Sequence, residues 1–383
     1  MIGKARDGDE MKRLMFVISE DWYFVSHRLQ LALHAKAAGY RVAVLCRISS
    51  HAELLEKSGI EVFPWFLERR SKNPLTEWRA LKEVRAAIKA FQPDVLHAVA
   101  LKPVLYSAMA GKAKKSGGRV FALAGLGYVF SSQKMLARCL RPFIVQAFRA
   151  AFRNPTTRLI LQNPDDAQVL SNAKIIAPEK IRLIRGAGVD VNAFLATPES
   201  AQQMLVVLPG RMLWDKGVAE FVAAARLLQK RGIRARFALV GGRDDHNPSC
   251  VPLQTLKAWE AEGVVEYWGN RNDMPSVLAN AHVVCLPSYR EGLPKALLEA
   301  ASCSRPIVTF DVPGCREVVV DGKNGLLVPF GDVTALANAL ETLMTDRAMR
   351  EQMGAQGRLM VEQEFSQELV AAKTMQVWEE VVA

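Results

Sequence analysis

The 383-residue chain is too long for one ordinary domain and fits two of about 190 residues each. Half of its residues are apolar, yet no apolar run reaches the ~20 residues a bilayer-crossing helix needs, which excludes a disordered chain and a helix that spans a membrane. Its formal net charge is +11, and its six cysteines are scattered with no CxxC pair or His/Cys cluster, so reduced thiols in a cytosolic protein are expected and no metal site.

Residues 1–10 are polar and charged and read as a leader. RLMFVI (13–18) then opens as a β-strand; its apolar part stops at Ser19-Glu20-Asp21 with no small-residue cleavage site, so it is not a signal peptide. A loop, SEDWYFVSHR, leads into a helix from Leu29 that Gly39 stops, and RVAVLC is the second strand. Ile60–Phe63 reads as a strand, ERRSKNP as a basic linker, Leu75–Ala90 as an amphipathic helix, and Asp94–His97 as a strand that places His97 at its carboxyl end. Val120–Ala124 is the next strand, followed by Gly125-Leu-Gly-Tyr128, where glycine allows close backbone approach to a ligand.

Charge is concentrated in one place. Between Lys112 and Arg158 stand ten Lys/Arg and no Asp or Glu, nearly the whole net charge. Within it, Met135–Arg153 has helical periodicity: Arg138, Arg141, Arg149 and Arg153 share one stripe, opposite Leu136, Leu140, Phe143, Ala147 and Ala151. Pro142 suggests a break into two short helices. A basic amphipathic face suits an anionic inner-membrane surface, where these four arginines would lie. No nucleic-acid motif or aromatic interleaving accompanies the charge, so nucleic acid is not expected as a partner.

Leu159–Gln162 is a strand, Pro164-Asp-Asp signals a helix, and Lys180–Ile184 is a strand running into Arg185-Gly-Ala-Gly188-Val-Asp190. Thr197–Gln203 is a polar linker. The alternation then restarts with Met204–Leu208 as strand, a loop with Arg211 and Lys216, helix Val218–Lys230, and strand Ala235–Val240 ending at Gly241-Gly242. Arg243–Pro252 is a polar loop, Val264–Trp268 a strand, and Gly269-Asn-Arg271-Asn272-Asp opens a helix. Val283–Leu286, ended by Pro287, is a buried parallel strand; the turn SYREGLPK follows, then helix Ala296–Cys303 and strand Ile307–Thr309. Such units take ligands beyond the carboxyl ends of their strands, and the helix start suits a phosphate. Glu291 and Glu299 are eight residues apart, about 12 Å at helical rise, which is too far to share one proton and suits two parts of an elongated ligand.

EGLPKALLE (291–299) resembles the E-x7-E signature of family-4 retaining glycosyltransferases. Gly210-Arg211 through Lys216-Gly217 is similar to their G-R-x(n)-K-G segment, and DVPGCREVVVDGKNGLLVP (311–329) to their closing strand and loop. The resemblance implies an α/β fold of two Rossmann-like domains facing across a cleft, the GT-B architecture. It implies an acceptor domain at 11–196 carrying the basic segment 112–158, a nucleotide-sugar domain at 197–366, and a helix at 367–383 that returns to the first domain. The implied activity is metal-independent transfer, with retention, of a hexose or N-acetylhexosamine from a UDP-sugar. No cofactor is implied. Arg211 and Lys216 would grip the diphosphate, Glu291 the sugar hydroxyls and Glu299 the ribose. Gly292, Leu293, Lys295, Gly241, Arg271 and Asn272 would complete the donor site.

Lys102-Pro103-x-x-Tyr106 looks like the subset of this family that builds bacterial surface polysaccharides (O-antigen and capsule) on lipid-linked saccharides of the undecaprenyl diphosphate type, or on lipopolysaccharide. The implied location is the cytoplasmic face of the inner membrane. His27, His97, Lys102, Gly125 and Tyr128 are the acceptor-side candidates. The chain departs from many relatives twice: Glu20-Asp-Trp-Tyr-Phe replaces a glycine pair after the first strand, and Ala124-Gly125 stands where a sugar-contacting histidine is common. A sugar-nucleotide epimerase or phosphorylase on the same plan, or a non-catalytic binding protein, are the other readings. The basic amphipathic segment argues against an epimerase, and the intact Arg211, Lys216, Glu291 and Glu299 against a mere binder.

Overall fold

The structure is a computed structural model that describes residues 11–68, 73–111, 117–123, 135–245 and 247–382, with the side chains of 135–141 and 143 left out of the description. Residues 1–10, Gly125 and Tyr128 lie outside it, as do the side chains of Arg138 and Arg141.

The chain divides into two compact units, residues 1–184 with 371–383, and residues 185–370. The division falls after Ile184, twelve residues before the polar linker, because residues 185–190 pack with the second unit: Val189 donates to the Phe365 carbonyl at 2.9 Å.

The first unit is a seven-stranded sheet in the order β3-β2-β1-β4-β5-β6-β7. Its strands are β1 (Arg13–Glu20), β2 (Arg41–Arg47), β3 (Glu61–Pro64), β4 (Val95–Val99), β5 (Gly118–Leu123), β6 (Thr157–Leu161) and β7 (Ile181–Leu183), all paired in parallel. Each central strand is a continuous apolar run because helices cover both faces. Phe16 of β1 sits opposite His97 of β4. Asn163 and Asn73 accept from backbone N–H groups at the starts of helices Pro164–Asn172 and Pro74–Phe91, each with proline first. Trp378 of the last helix is fully buried against Phe16 and Tyr40, and Glu380 ties Arg182 and Arg158.

Two local readings change. The loop after β1 contains helix Asp21–His27, because Phe24 is drawn into the core. Met135–Phe152 is one helix, not two. Pro142 is exposed there, so its ring forfeits a single backbone bond while Phe148, Ala151 and Phe152 hold the helix on the core.

The second unit is a six-stranded parallel sheet in the order β10-β9-β8-β11-β12-β13. The strands are β8 (Leu205–Pro209), β9 (Arg236–Val240), β10 (Glu266–Gly269), β11 (Val283–Leu286), β12 (Ile307–Phe310) and β13 (Gly325–Val328). Strand order reverses between β8 and β11. At such a switch point the two flanking loops run to opposite sides of the sheet and leave a crevice at the strands' carboxyl ends.

Candidate active site

The loops after β8 and β11 carry most of the second domain's candidate side chains. After β8 the chain runs through Arg211 into a single turn, Trp214–Lys216, and Gly217 then starts helix Val218–Lys230. Gly217 has φ +70°, and a Cβ there would run into the Pro287 carbonyl, so glycine alone lets the two loops close on each other. Tyr289 donates its backbone N–H to the Asp215 carbonyl at 2.9 Å, fixing their register.

That closure brings Lys216 onto Glu291, 75 residues away, as a direct ion pair. Ser288 also donates to Glu291, at 2.7 Å. The carboxylate is 11% exposed and the lysine 21%, so both are largely withdrawn from water. Gly314 lies beneath the turn, where a Cβ would overlap the carbonyls of Glu291 and Gly292. The DVPG segment is thus the floor on which the Glu291 turn rests.

Helix Lys295–Ser302 begins after the turn. Only its own residues have helical rise, so the 12 Å spacing expected between Glu291 and Glu299 does not apply to 291–294 as written. Lys295 and Glu299 pair at 3.4 Å one turn apart. Burial pushes the Glu299 carboxyl up, and Lys295 pulls it partly back. Leu293 packs near Gly186.

Arg211 is about half exposed and pairs with Asp244 at 2.8 Å. Gly241 closes the β9 end by donating to the Gly269 carbonyl at 2.8 Å. Arg271 and Asn272 are exposed beyond β10, the edge strand two places from β8, and Arg271 is held by both oxygens of Asp273 at 2.7 and 2.6 Å. The structure therefore joins Lys216 with Glu291, and Lys295 with Glu299, at one switch point, and leaves Arg271 and Asn272 on the flank. Sequence reasoning missed Ser288 and Asp244. Ser288 stands three residues before Glu291, a spacing that allows a turn hydrogen bond; Asp244 carries no local signal.

The first domain's candidates do not gather in one place. His27 stacks on Tyr23, with ring centroids 4.3 Å apart. His97 is 1% exposed, and its Nδ1 accepts from Trp378 at 3.0 Å. Burial, aided by the charge of Arg28, holds the His97 imidazole well below its usual range, so it is neutral. Lys102 pairs with Glu77 at 2.7 Å, and Tyr106 donates to the same carboxylate. Beside them is an apolar cavity of about 680 Å³ lined by Trp78, Leu101, Leu105, Met109 and Ile144. Arg149 donates to the carbonyls of Ala173 and Lys174 at 3.2 and 3.1 Å, the end of helix Pro164–Asn172, and Arg153 is exposed. Among the described residues no helix is long and apolar enough to cross a membrane.

Comparison with known proteins covers both units. Residues 13–163 match the family model described as "Glycosyl transferase 4-like" and residues 203–346 the model described as "Glycosyl transferases group 1". The chain is 26% identical, over 89% of itself and 91% of the relative, to a Campylobacter jejuni N,N'-diacetylbacillosaminyl-diphospho-undecaprenol alpha-1,3-N-acetylgalactosaminyltransferase. It is also 26% identical, over 65% of itself and 69% of the relative, to an Escherichia coli UDP-Gal:alpha-D-GlcNAc-diphosphoundecaprenol alpha-1,3-galactosyltransferase. In fold it resembles sucrose-phosphate synthase from Thermosynechococcus elongatus, with TM-score 0.78, 19% identity, and coverage of 97% of this chain and 99% of that one.

Proposed function

The chain belongs to the family-4 glycosyltransferases of GT-B fold, and from that premise we propose that it transfers a hexose or N-acetylhexosamine from a UDP-sugar to a saccharide carried on undecaprenyl diphosphate. The observation that carries the reading is the convergence of Lys216, Glu291 and Ser288 at the second domain's switch point, with Arg211 and the Lys295 helix start beside it. The two relatives named above support the lipid-linked acceptor, and the second of them the uridine donor.

Arg211, as a fork, and Lys216, as a point charge, bind the diphosphate. They are paired with Asp244 and Glu291 in the free protein, so donor phosphates compete for cations that are already positioned. Charge grows on the departing oxygen as the sugar–phosphate bond breaks, so these cations and the helix N-terminus act most strongly in the transition state. Positive side chains can do this work without a metal. Glu291 accepts from sugar hydroxyls and Glu299 from the ribose. The bond from C1 to the phosphate oxygen breaks, the acceptor oxygen bonds C1 on the same face, and the acceptor's proton passes to the departing phosphate. The anomeric configuration is retained and UDP leaves. The basic 112–158 segment holds the enzyme on anionic lipid at the cytoplasmic face of the inner membrane.

Thermal shift against UDP-, GDP-, ADP- and dTDP-sugars tests the donor. A rise with one UDP-sugar that disappears in Glu299→Ala is expected. No rise with any nucleotide would refute the donor assignment.

A further inference from the structure

Arg28 stands where helix Asp21–His27 ends and Leu29–Ala37 begins, and its side chain is 5% exposed. Its Nε is buried without a hydrogen-bond partner. The group that partly offsets its burial is the Tyr23 hydroxyl, not a carboxylate. The acidic side chains just before it are committed elsewhere. Asp21 accepts from the backbone N–H groups of Ser49, Ser50 and His51, and Glu20 faces Arg47 at 3.9 Å. A cation at the start of the Leu29 helix is also opposed by that helix's dipole.

His97 presents the same anomaly. Its Nδ1 accepts from the Trp378 indole, so the neutral ring carries its proton on Nε2, and Nε2 is buried without a partner. His97 lies in the middle of β4, not at its carboxyl end as expected, and β4 pairs with β1 where the strand order of the first sheet reverses. Phe16 links the two: its ring lies 5.2 Å from that of His97 and 5.5 Å from that of Phe24, whose carbonyl accepts from the Arg28 backbone N–H at 2.7 Å. Arg28 Nε and His97 Nε2 are thus two buried N–H donors that go unmet beside the β1–β4 reversal. A buried donor without a partner costs the desolvation of that group, so an oxygen brought to either of them by a ligand is favoured.

We infer that Arg28 and His97 form an oxyanion site in the first domain that binds a phosphate of the acceptor's diphosphate. This rests on the reading above of the acceptor as a lipid diphosphate. The guanidinium offers a planar fork matched to phosphate oxygens, and His97 Nε2 adds a neutral donor. Binding would give both buried donors a partner. The acceptor's own charge therefore completes the fold locally.

The consequence is a variant that gains stability as it loses function. The full chain, saturated with UDP so that the donor site is filled, is titrated with geranyl diphosphate and with inorganic pyrophosphate while melting is followed. In wild type both raise the melting temperature. Arg28→Leu should melt a few degrees higher than wild type without ligand. It should lose the diphosphate shift, keep the UDP shift, and raise the acceptor KM roughly 10- to 100-fold with donor KM unchanged. Arg28→Lys, which keeps the charge, should retain part of the diphosphate shift. The inference is overturned if unliganded Arg28→Leu melts lower than wild type, if its diphosphate shift persists, or if wild type shows none. Loss of the UDP shift together with the diphosphate shift would also overturn it, by assigning the oxyanion to the donor. Failure of UDP to shift wild type would instead count against the second-domain donor site, and leaves the diphosphate titration to be read by itself.

Discussion

Replacing Lys216 by methionine separates the two tasks that lysine performs. In the free protein it neutralises Glu291, whose side chain is 11% exposed. At an effective dielectric near 20, opposite charges about 4 Å apart attract by roughly 4 kcal/mol, an upper figure before the cost of withdrawing both from water. Ser288 still donates to Glu291 at 2.7 Å after the change, so part of the carboxylate's need is met. A net loss of about 2–3 kcal/mol is expected, below the range for removing one member of a fully buried pair. For a unit of this size that lowers the melting temperature by about 4–12 °C. On the proposed donor site, the same change removes a cation from the leaving diphosphate and should cut kcat by about 10²–10³-fold. The double variant Lys216→Met/Glu291→Gln distinguishes the effects. It should recover most of the lost stability, because no charge is left unpaired, and recover no activity. The assay is scanning calorimetry beside single-turnover release of UDP. A kcat within tenfold of wild type for Lys216→Met, or a double variant no more stable than the single, would refute the reasoning.

Glu299→Gln should stabilise the protein near neutral pH, and by a margin that grows as pH rises above the ordinary glutamate range. The folded carboxyl titrates higher than the unfolded one, so wild type loses stability with rising pH until the folded group has ionised; a margin that shrinks with pH would contradict this. The same variant should weaken UDP binding roughly 10- to 100-fold by losing the charged acceptor, as titration calorimetry would show. Gly217→Ala forces a Cβ toward the Pro287 carbonyl from φ +70° and should cost more than ~1 kcal/mol, with a matching loss of activity; an unchanged melt would mean the loops do not touch there. Arg350 and Glu199 are 5% and 9% exposed, so Arg350→Ala should cost about 3–5 kcal/mol by stranding a buried carboxylate and two helix-end carbonyls. Although burial pushes Glu199 up, its bonds to Arg350 outweigh that and hold its pKa below the usual value. Their contribution is present above the ordinary glutamate pKa and lost as pH falls below it, so the gap between variant and wild type should narrow in acid melts.

Much of this was legible in the sequence because it is local. The runs Val283–Leu286 and Leu205–Leu208 are strands through β-branched burial, and Gln367 was read as the start of the last helix where the structure begins it. Asp21–His27 shows no helical signal in sequence, since seven residues of mixed polarity carry no period, and it is tertiary burial of Phe24 that makes them helical. Pro142 signals a break because proline propensity outweighs everything else in a local window, whereas packing of the far face decides the outcome. The arginine stripe was drawn by angle alone, which could not tell that Arg149 reaches carbonyls of a neighbouring helix.

By itself the sequence determined the alternation of strands and helices, the loops that carry Arg211, Lys216, Glu291 and Glu299, and the concentration of positive charge in 112–158. These follow from apolar periodicity, from glycine and proline placement, and from residue type, all of which act within a few positions of the chain. Tertiary structure decided which loops become neighbours. Parallel pairing sets β8 beside β11, and only that order presses Gly217 against Pro287 and delivers Lys216 to Glu291. It also decided which polar groups go without partners, burying Arg28 and His97 where no carboxylate follows them. Burial and strand order arise from pairings between residues far apart in the chain, 75 residues for Lys216 with Glu291 and 281 for His97 with Trp378, and no short stretch of sequence contains both halves of such a pair.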